Sequence, residues 1–169
     1  YHTLLHSAFR QAVKNEMLDS NPFDRVERPK KSSFQGDHYS EEELVALFEL
    51  CRSDPIWPCI VLAGGMGLRR SEALGVRWSR IDWENRTVLL DTKIMEERVD
   101  GESVLHAIEE MKNKSSRRTL PIPEPVFEML ETIRAKQELN RKLFRGSYNR
   151  EWSDYVCTDE LGNLLRPNY

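Results

Sequence analysis

The chain has 169 residues, 39% of them hydrophobic and 31% charged, which is enough for one sizeable core or for one domain and part of another. Its formal net charge of −3 argues against indiscriminate nucleic-acid binding, and it holds no apolar run long enough to span a membrane. The N-terminus lacks a signal-peptide pattern, and Cys51, Cys59 and Cys157 have no CxxC spacing. They read as reduced packing residues of a cytoplasmic protein rather than zinc ligands.

Over residues 2–18, Leu5, Ala8, Phe9, Ala12, Val13 and Met17 share one helical face. Asn21-Pro22 is expected to stop that helix, because a residue preceding proline is driven out of the α region. The segment RVERPKKSSFQGD then mixes proline, serine, glycine and basic residues without periodicity and reads as a linker over 26–38. Ser40 with Glu43 forms a capping box, followed by Leu44, Leu47, Phe48 and Cys51 at helical spacing. A helix over about 55–66 is apolar on all sides and is expected at the centre of the fold. A short helix, SEALGV, follows Arg70.

From Thr87 the period changes to two. Val88, Leu90, Thr92 and Ile94 share one face of a strand, with Asp91 and Lys93 on the other. Asp100-Gly101 predicts a type I′ hairpin, and Val104, His106 and Ile108 alternate back along a second strand. RRTLPIP predicts a third strand, confined to an edge or ended by Pro121. Pro125 opens a long helix that buries Val126, Met129, Leu130 and Ile133. The tail, DYVCTDELGNLLRP, reads as a short strand and turn. The fold class expected is α+β, mainly α, with a small three-stranded antiparallel sheet.

The stretch GGMGLRRSE, residues 64–72, sends Arg69 and Arg70 off the end of an apolar helix. Either these arginines pair with a carboxylate such as Glu72, or an anion comes to meet them. A nucleotide phosphate loop fits poorly, since the P-loop lysine and the preceding strand are missing. A second basic cluster, KNKSSRR at 112–118, lies between the second and third strands. A third series comprises Arg134, Lys136, Arg141, Lys142, Arg145 and Arg150, and is either an ordinary solvated surface or part of a basic face. An arginine fixed at a helix exit and a lysine on a hairpin suit one phosphate. The guanidinium fork grips two oxygens and the ammonium reaches the leaving oxygen.

AGGMGLRRSEALGVRWSRIDWENRTVLL resembles the first active-site box of the tyrosine recombinases, the phage-integrase family. MKNKSSRRTLPIP is similar to that family's hairpin before the third strand, usually Lys-Thr-x-x-Ser-x-Arg. The NP after the first helix, the YSEEEL segment and the closing GNLLRPNY support the resemblance. It implies the first part of a DNA breaking-rejoining catalytic domain over 39–169, preceded over 1–25 by the last helix of a core-binding domain. It further implies Arg69 as a catalytic arginine, Glu72 as its buttress, and Lys112 as the hairpin lysine, with Lys114 an alternative register. Lys114, Arg117, Arg70, Lys30 and Lys31 are the expected DNA-binding residues. Asn113 stands where threonine is common, and Arg80 where an acid is usual.

The family completes its site with His-x-x-Arg and a tyrosine nucleophile. No histidine of this chain has arginine at its third following position, and Tyr169 falls where the resemblance places the start of a helix. The expectation is a site-specific recombinase of a mobile element, cutting double-stranded DNA through a 3′-phosphotyrosyl link and acting at full length as a tetramer on DNA. The resemblance implies no metal and no nucleotide cofactor, and this chain alone is expected to be inactive. A type IB topoisomerase and a non-catalytic DNA-binding module are the alternatives. Arg69, Glu72 and Lys112 are expected together on a concave, positively charged face.

Overall fold

Helix α1 (His2–Lys14) begins a computed structural model that describes residues 1–27, 36–109 and 117–167. By its internal contacts the chain forms two units, Tyr1–His38 and Tyr39–Tyr169. In the first, α1 stops well short of residue 18. Glu16 takes a left-handed conformation (φ 57°), its N–H reaches the Val13 carbonyl, and the Met17 N–H reaches that of Ala12. This is a Schellman ending with glutamate at the position glycine usually holds, so Met17 leaves the helical face and is exposed. Asn21 caps the following 3₁₀ turn, Pro22–Arg25, by accepting the Phe23 N–H, and Phe23 packs its ring against Phe9 at 5.1 Å.

The second unit opens with α2 (Glu41–Leu50). Its capping box is complete: Ser40 Oγ accepts the Glu43 N–H, and the Glu43 carboxylate accepts that of Ser40 at 2.8 Å. Helix α3 (Trp57–Met66) buries Pro58, Cys59, Val61 and Leu62, as its all-round apolar sequence predicts. Helix α5 (Glu124–Phe144) buries Val126, Met129, Leu130 and Ile133. Leu62 and Leu130 are each 1% exposed in the same core cluster, and truncating either to alanine would cost about 2–5 kcal/mol. Gln137, the buried polar residue of α5, accepts from Trp78 Nε1 at 2.9 Å. It donates to the Val156 carbonyl at 2.9 Å and to Thr158 Oγ1 at 2.8 Å.

Between these helices lie α4 (Arg70–Leu74) and, among the described residues, five strands. Strand β1 (Ile81–Asp82) pairs with β2 (Thr87–Leu90), which pairs in turn with β5 (Arg118–Pro121), all antiparallel. Strands β3 (Lys93–Val99) and β4 (Glu102–Ile108) form a separate two-stranded ribbon. Its turn is Asp100-Gly101, both at positive φ, as a type I′ hairpin requires. The single strand expected from Thr87 onwards is therefore two. Val88, Leu90, Thr92 and Ile94 do share the buried face, but the ladder breaks at Asp91-Thr92. Pro121 ends β5 on the sheet edge, where its missing N–H costs no ladder bond.

Asp91 was expected on an outward face, yet it is buried at the break. Arg77 Nη2 (3.0 Å), Arg80 (2.8 Å) and the Thr92 hydroxyl (3.0 Å) surround it. Burial alone would raise this carboxyl's pKa, but the Arg77 and Thr92 hydrogen bonds and the two guanidinium charges bring it below its ordinary value. Helix α4 packs directly on this junction. A Cβ on Gly75 would lie 2.4 Å from the Thr92 carbonyl oxygen, so only glycine permits the approach.

Candidate functional site

Helix α3 ends at Gly67, whose left-handed conformation (φ 64°, ψ 31°) reverses the chain, and Leu68 anchors the turn in the core. Arg69 follows in extended conformation as the residue before α4. Three positions on, Glu72 points back from the helix, and its carboxylate accepts the Arg69 backbone N–H at 3.1 Å. It also accepts Arg69 Nη1 at 3.1 Å. From the neighbouring strand β5, Arg118 donates Nη1 at 3.2 Å and Nη2 at 3.0 Å to the two oxygens of the same carboxylate.

Burial separates these groups. The Glu72 side chain is 5% exposed, whereas that of Arg69 is 77% exposed. Desolvation pushes the Glu72 carboxyl upwards, but the hydrogen bonds from Arg118 and from the Arg69 backbone and side chain outweigh it, and the net shift is downward. The ionised form of Glu72 is thus favoured despite its burial. It holds Arg69 by one Nη while most of the guanidinium faces solvent. A fixed, outward guanidinium is suited to an anionic oxygen, because its orientation is set before the ligand arrives.

Of the residues singled out in the sequence, the structure brings Arg69 and Glu72 into direct contact. Arg70 and Arg117 are exposed, each the chain neighbour of one arginine that holds Glu72. Lys112, Lys114, Lys30 and Lys31 lie outside the described residues. Among the described residues no group of three or more histidine, cysteine or acidic side chains is placed to hold a metal ion. Cys59 and Cys157 are buried free thiols of the core.

Arg118 is the participant that the sequence reading passed over in favour of Arg117. The signal was present. Arg118 and Leu120 are the partly buried positions of β5, and Arg117 falls on the exposed phase of the same alternation. Arg118 also closes the Ser-x-Arg pattern of the hairpin.

The mixed helical and antiparallel domain thus presents, at a helix start, an outward arginine steadied by a buried carboxylate. The phage integrase family model matches residues 39–160, and the chain belongs to that family, the tyrosine recombinases. It is 31% identical to a XerC-like tyrosine recombinase of Caldanaerobacter subterraneus over 95% of this chain and 44% of the relative. It is 25% identical to the transposase of transposon Tn916 from Enterococcus faecalis over the whole chain and 40% of the relative. Among solved structures, the Tn1549 transposon integrase in complex with a circular intermediate DNA aligns with a TM-score of 0.71 at 18% identity. That alignment covers 97% of this chain and 51% of that one, and supports the fold. The chain spans less than half the length of these curated relatives.

Proposed function

We propose that this chain is the arginine- and lysine-bearing part of a mobile-element recombinase that cuts and rejoins duplex DNA. The observation that carries the reading is the exposed Arg69 guanidinium clamped by buried Glu72. In the proposed reaction a tyrosine hydroxyl attacks a backbone phosphorus, forming a 3′-phosphotyrosyl bond and releasing the 5′ oxygen. Arg69 stabilises the charge that builds on the non-bridging oxygens, and Lys112 delivers the proton to the leaving oxygen. Arg118 positions Glu72 and, through it, Arg69. Arg70, Arg117, Lys114, Lys30 and Lys31 supply phosphate contacts.

The relatives that align over nearly the whole chain carry recombinase and transposase names, which favours this reading over a topoisomerase. A tetramer on DNA and a cytoplasmic location belong to the same proposal. No helix among the described residues is long and apolar enough to cross a membrane.

Two measurements test the reading. The chain alone should bind duplex DNA with an affinity that falls steeply with salt, since each phosphate contact releases counterions. An affinity independent of salt would count against it. In a full-length recombinase carrying this sequence, a scissile linkage with a 5′-thiol leaving group should rescue Lys112→Ala and leave Arg69→Ala defective. Rescue of neither variant would remove the general-acid role from Lys112.

A further inference from the structure

The basic series that begins on α5 does not stay together in the fold. Arg134 lies over the Trp83 ring at 4.9 Å, and Lys136 pairs with Glu160 at 3.6 Å, so both serve packing and surface pairing. The other four cations, Arg141, Lys142, Arg145 and Arg150, line one open cleft with Gly146 and Asn149. None of the described residues lining that cleft is acidic.

Two further observations single the cleft out. The Nε of Arg141 is buried and has no hydrogen-bond partner among the described residues, while its guanidinium sits over the buried Tyr148 ring at 5.8 Å. Arg145 is held at φ 44°, ψ −107°, a conformation that a residue with a side chain adopts at a cost in free energy. Gly146, which would adopt it freely, is the next residue. Cations in the last turn of a helix are favoured by its dipole, which accounts for Arg141 and Lys142. It does not account for Arg145 and Arg150, which lie beyond the helix.

The chemistry of the lining decides between partners. A protein partner draws its affinity from apolar anchors in dry pockets. This cleft offers guanidinium and ammonium groups, a side-chain amide and the backbone of Gly146, with Tyr148 already buried. Such a surface matches phosphate oxygens.

We propose that this cleft is a second phosphate-binding surface that takes the backbone of duplex DNA, separate from the site at Arg69. The inference rests on duplex DNA being the ligand of the chain. Val126 of α5 lies against Gly65, just before the exit of α3, and Arg141 is fifteen residues further along α5. At 1.5 Å per residue the two ends are about 20 Å apart. Duplex DNA rises about 3.4 Å per base pair, so a duplex that touches both surfaces has to be longer than about six base pairs.

The test compares a 6-base-pair hairpin duplex with a 30-base-pair duplex, binding to the chain and to Lys142→Gln/Arg145→Gln/Arg150→Gln across a salt series. Arg141 is left intact because it packs on Tyr148. Lys142→Gln/Arg150→Gln is a second variant that spares the strained backbone. For the chain, the longer duplex should bind more tightly and with a steeper salt slope. The triple variant should lose that gain, its slope shrinking by about 0.9 for each contact removed. Binding of the short hairpin, which rests on one surface at a time, should fall by no more than about twofold.

If both duplexes bind the chain and both variants alike, the cleft is not a DNA surface and the reading at Arg69 stands. If neither duplex binds the chain, the proposed function falls and this inference with it. Inorganic tripolyphosphate and poly-glutamate serve as competitors. Tripolyphosphate saturating the cleft with no gain from the longer duplex would assign it to a free anion. Poly-glutamate displacing the long duplex at lower concentration than tripolyphosphate would assign it to an acidic protein. Either result overturns the proposal.

Discussion

Among the described residues, two buried carboxylates of one kind differ in the direction their arginines face. Glu72 and Asp91 are both buried, both engage two arginines, and both have pKa values lowered against the opposing effect of burial. Arg77, however, is only 12% exposed and is turned inward between Asp91 and Glu109. Arg69 shows most of its side chain to solvent. The acid is alike in the two places; the direction in which the arginine is left facing differs. At Asp91 the charges close a strand junction, and at Glu72 the same chemistry aims a cation outward.

The comparison is broken most decisively by activity. In a full-length recombinase carrying this sequence, Arg69→Ala and Arg69→Lys should each reduce strand cleavage by about 10²–10³, with DNA binding and thermal stability nearly unchanged. Lysine fails because a point charge does not reproduce the two-pronged grip. Arg77→Ala should do the reverse, leaving Asp91 buried without its main partner at a cost of roughly 3–5 kcal/mol in stability. Cleavage assays beside urea unfolding separate the two. Equal cleavage loss in both variants, at temperatures where both are folded, would erase the distinction.

Glu72→Gln should cost about 1.5–3 kcal/mol, through charged hydrogen bonds lost at Arg69 and Arg118, and should also slow cleavage by releasing Arg69. Asp91→Asn should destabilise comparably without a cleavage defect of its own. The pH dependence follows from the lowered pKa values. The stability contributed by each carboxylate is fully present above its ordinary value, 4.5 for Glu72 and 3.8 for Asp91, and is lost as pH falls through the lowered native value. Glu72→Gln should flatten the acid side of the stability curve, read as melting temperature against pH below about pH 4.5. A curve parallel to that of the parent chain would show that Glu72 does not titrate with folding. The smallest effect belongs to Arg70→Ala, where cleavage should change by less than tenfold, as expected for one exposed contact of about 1 kcal/mol. A defect matching Arg69→Ala would move the catalytic assignment by one residue.

Much of the fold was legible because it rests on short-range chemistry. The Ser40–Glu43 capping box, the Asp100-Gly101 turn and the all-apolar α3 each depend on residues a few positions apart, and each formed where expected. The break between β2 and β3 was not legible. Side-chain alternation runs unbroken through Thr92 to Ile94, and only the choice of pairing partner, β5 against β4, divides the strand. The end of α1 was hidden for a related reason, since Glu16 adopts a glycine-like conformation that its identity does not announce. At the site, the Arg69–Glu72 pair could be read because it is local. Arg118 arrives from 46 residues away and needed the strand's inward alternation to reveal it.

Gly75 joins the two clamps mechanically. One residue past α4, it rests on the Thr92 carbonyl oxygen with no room for a methyl group, so the segment that carries Glu72 and the junction that carries Asp91 are braced at a single point. A tilt of the β3–β4 ribbon at its root would press on the segment that follows α4, without a side chain in between to absorb it. Gly75→Ala, which only exchanges a hydrogen for a methyl group, should therefore disturb the amide resonances of Glu72 and Thr92 together and lower cleavage and stability in one step. If only one of the two clamps responded, the contact would be a neighbourly one and not a shared bearing.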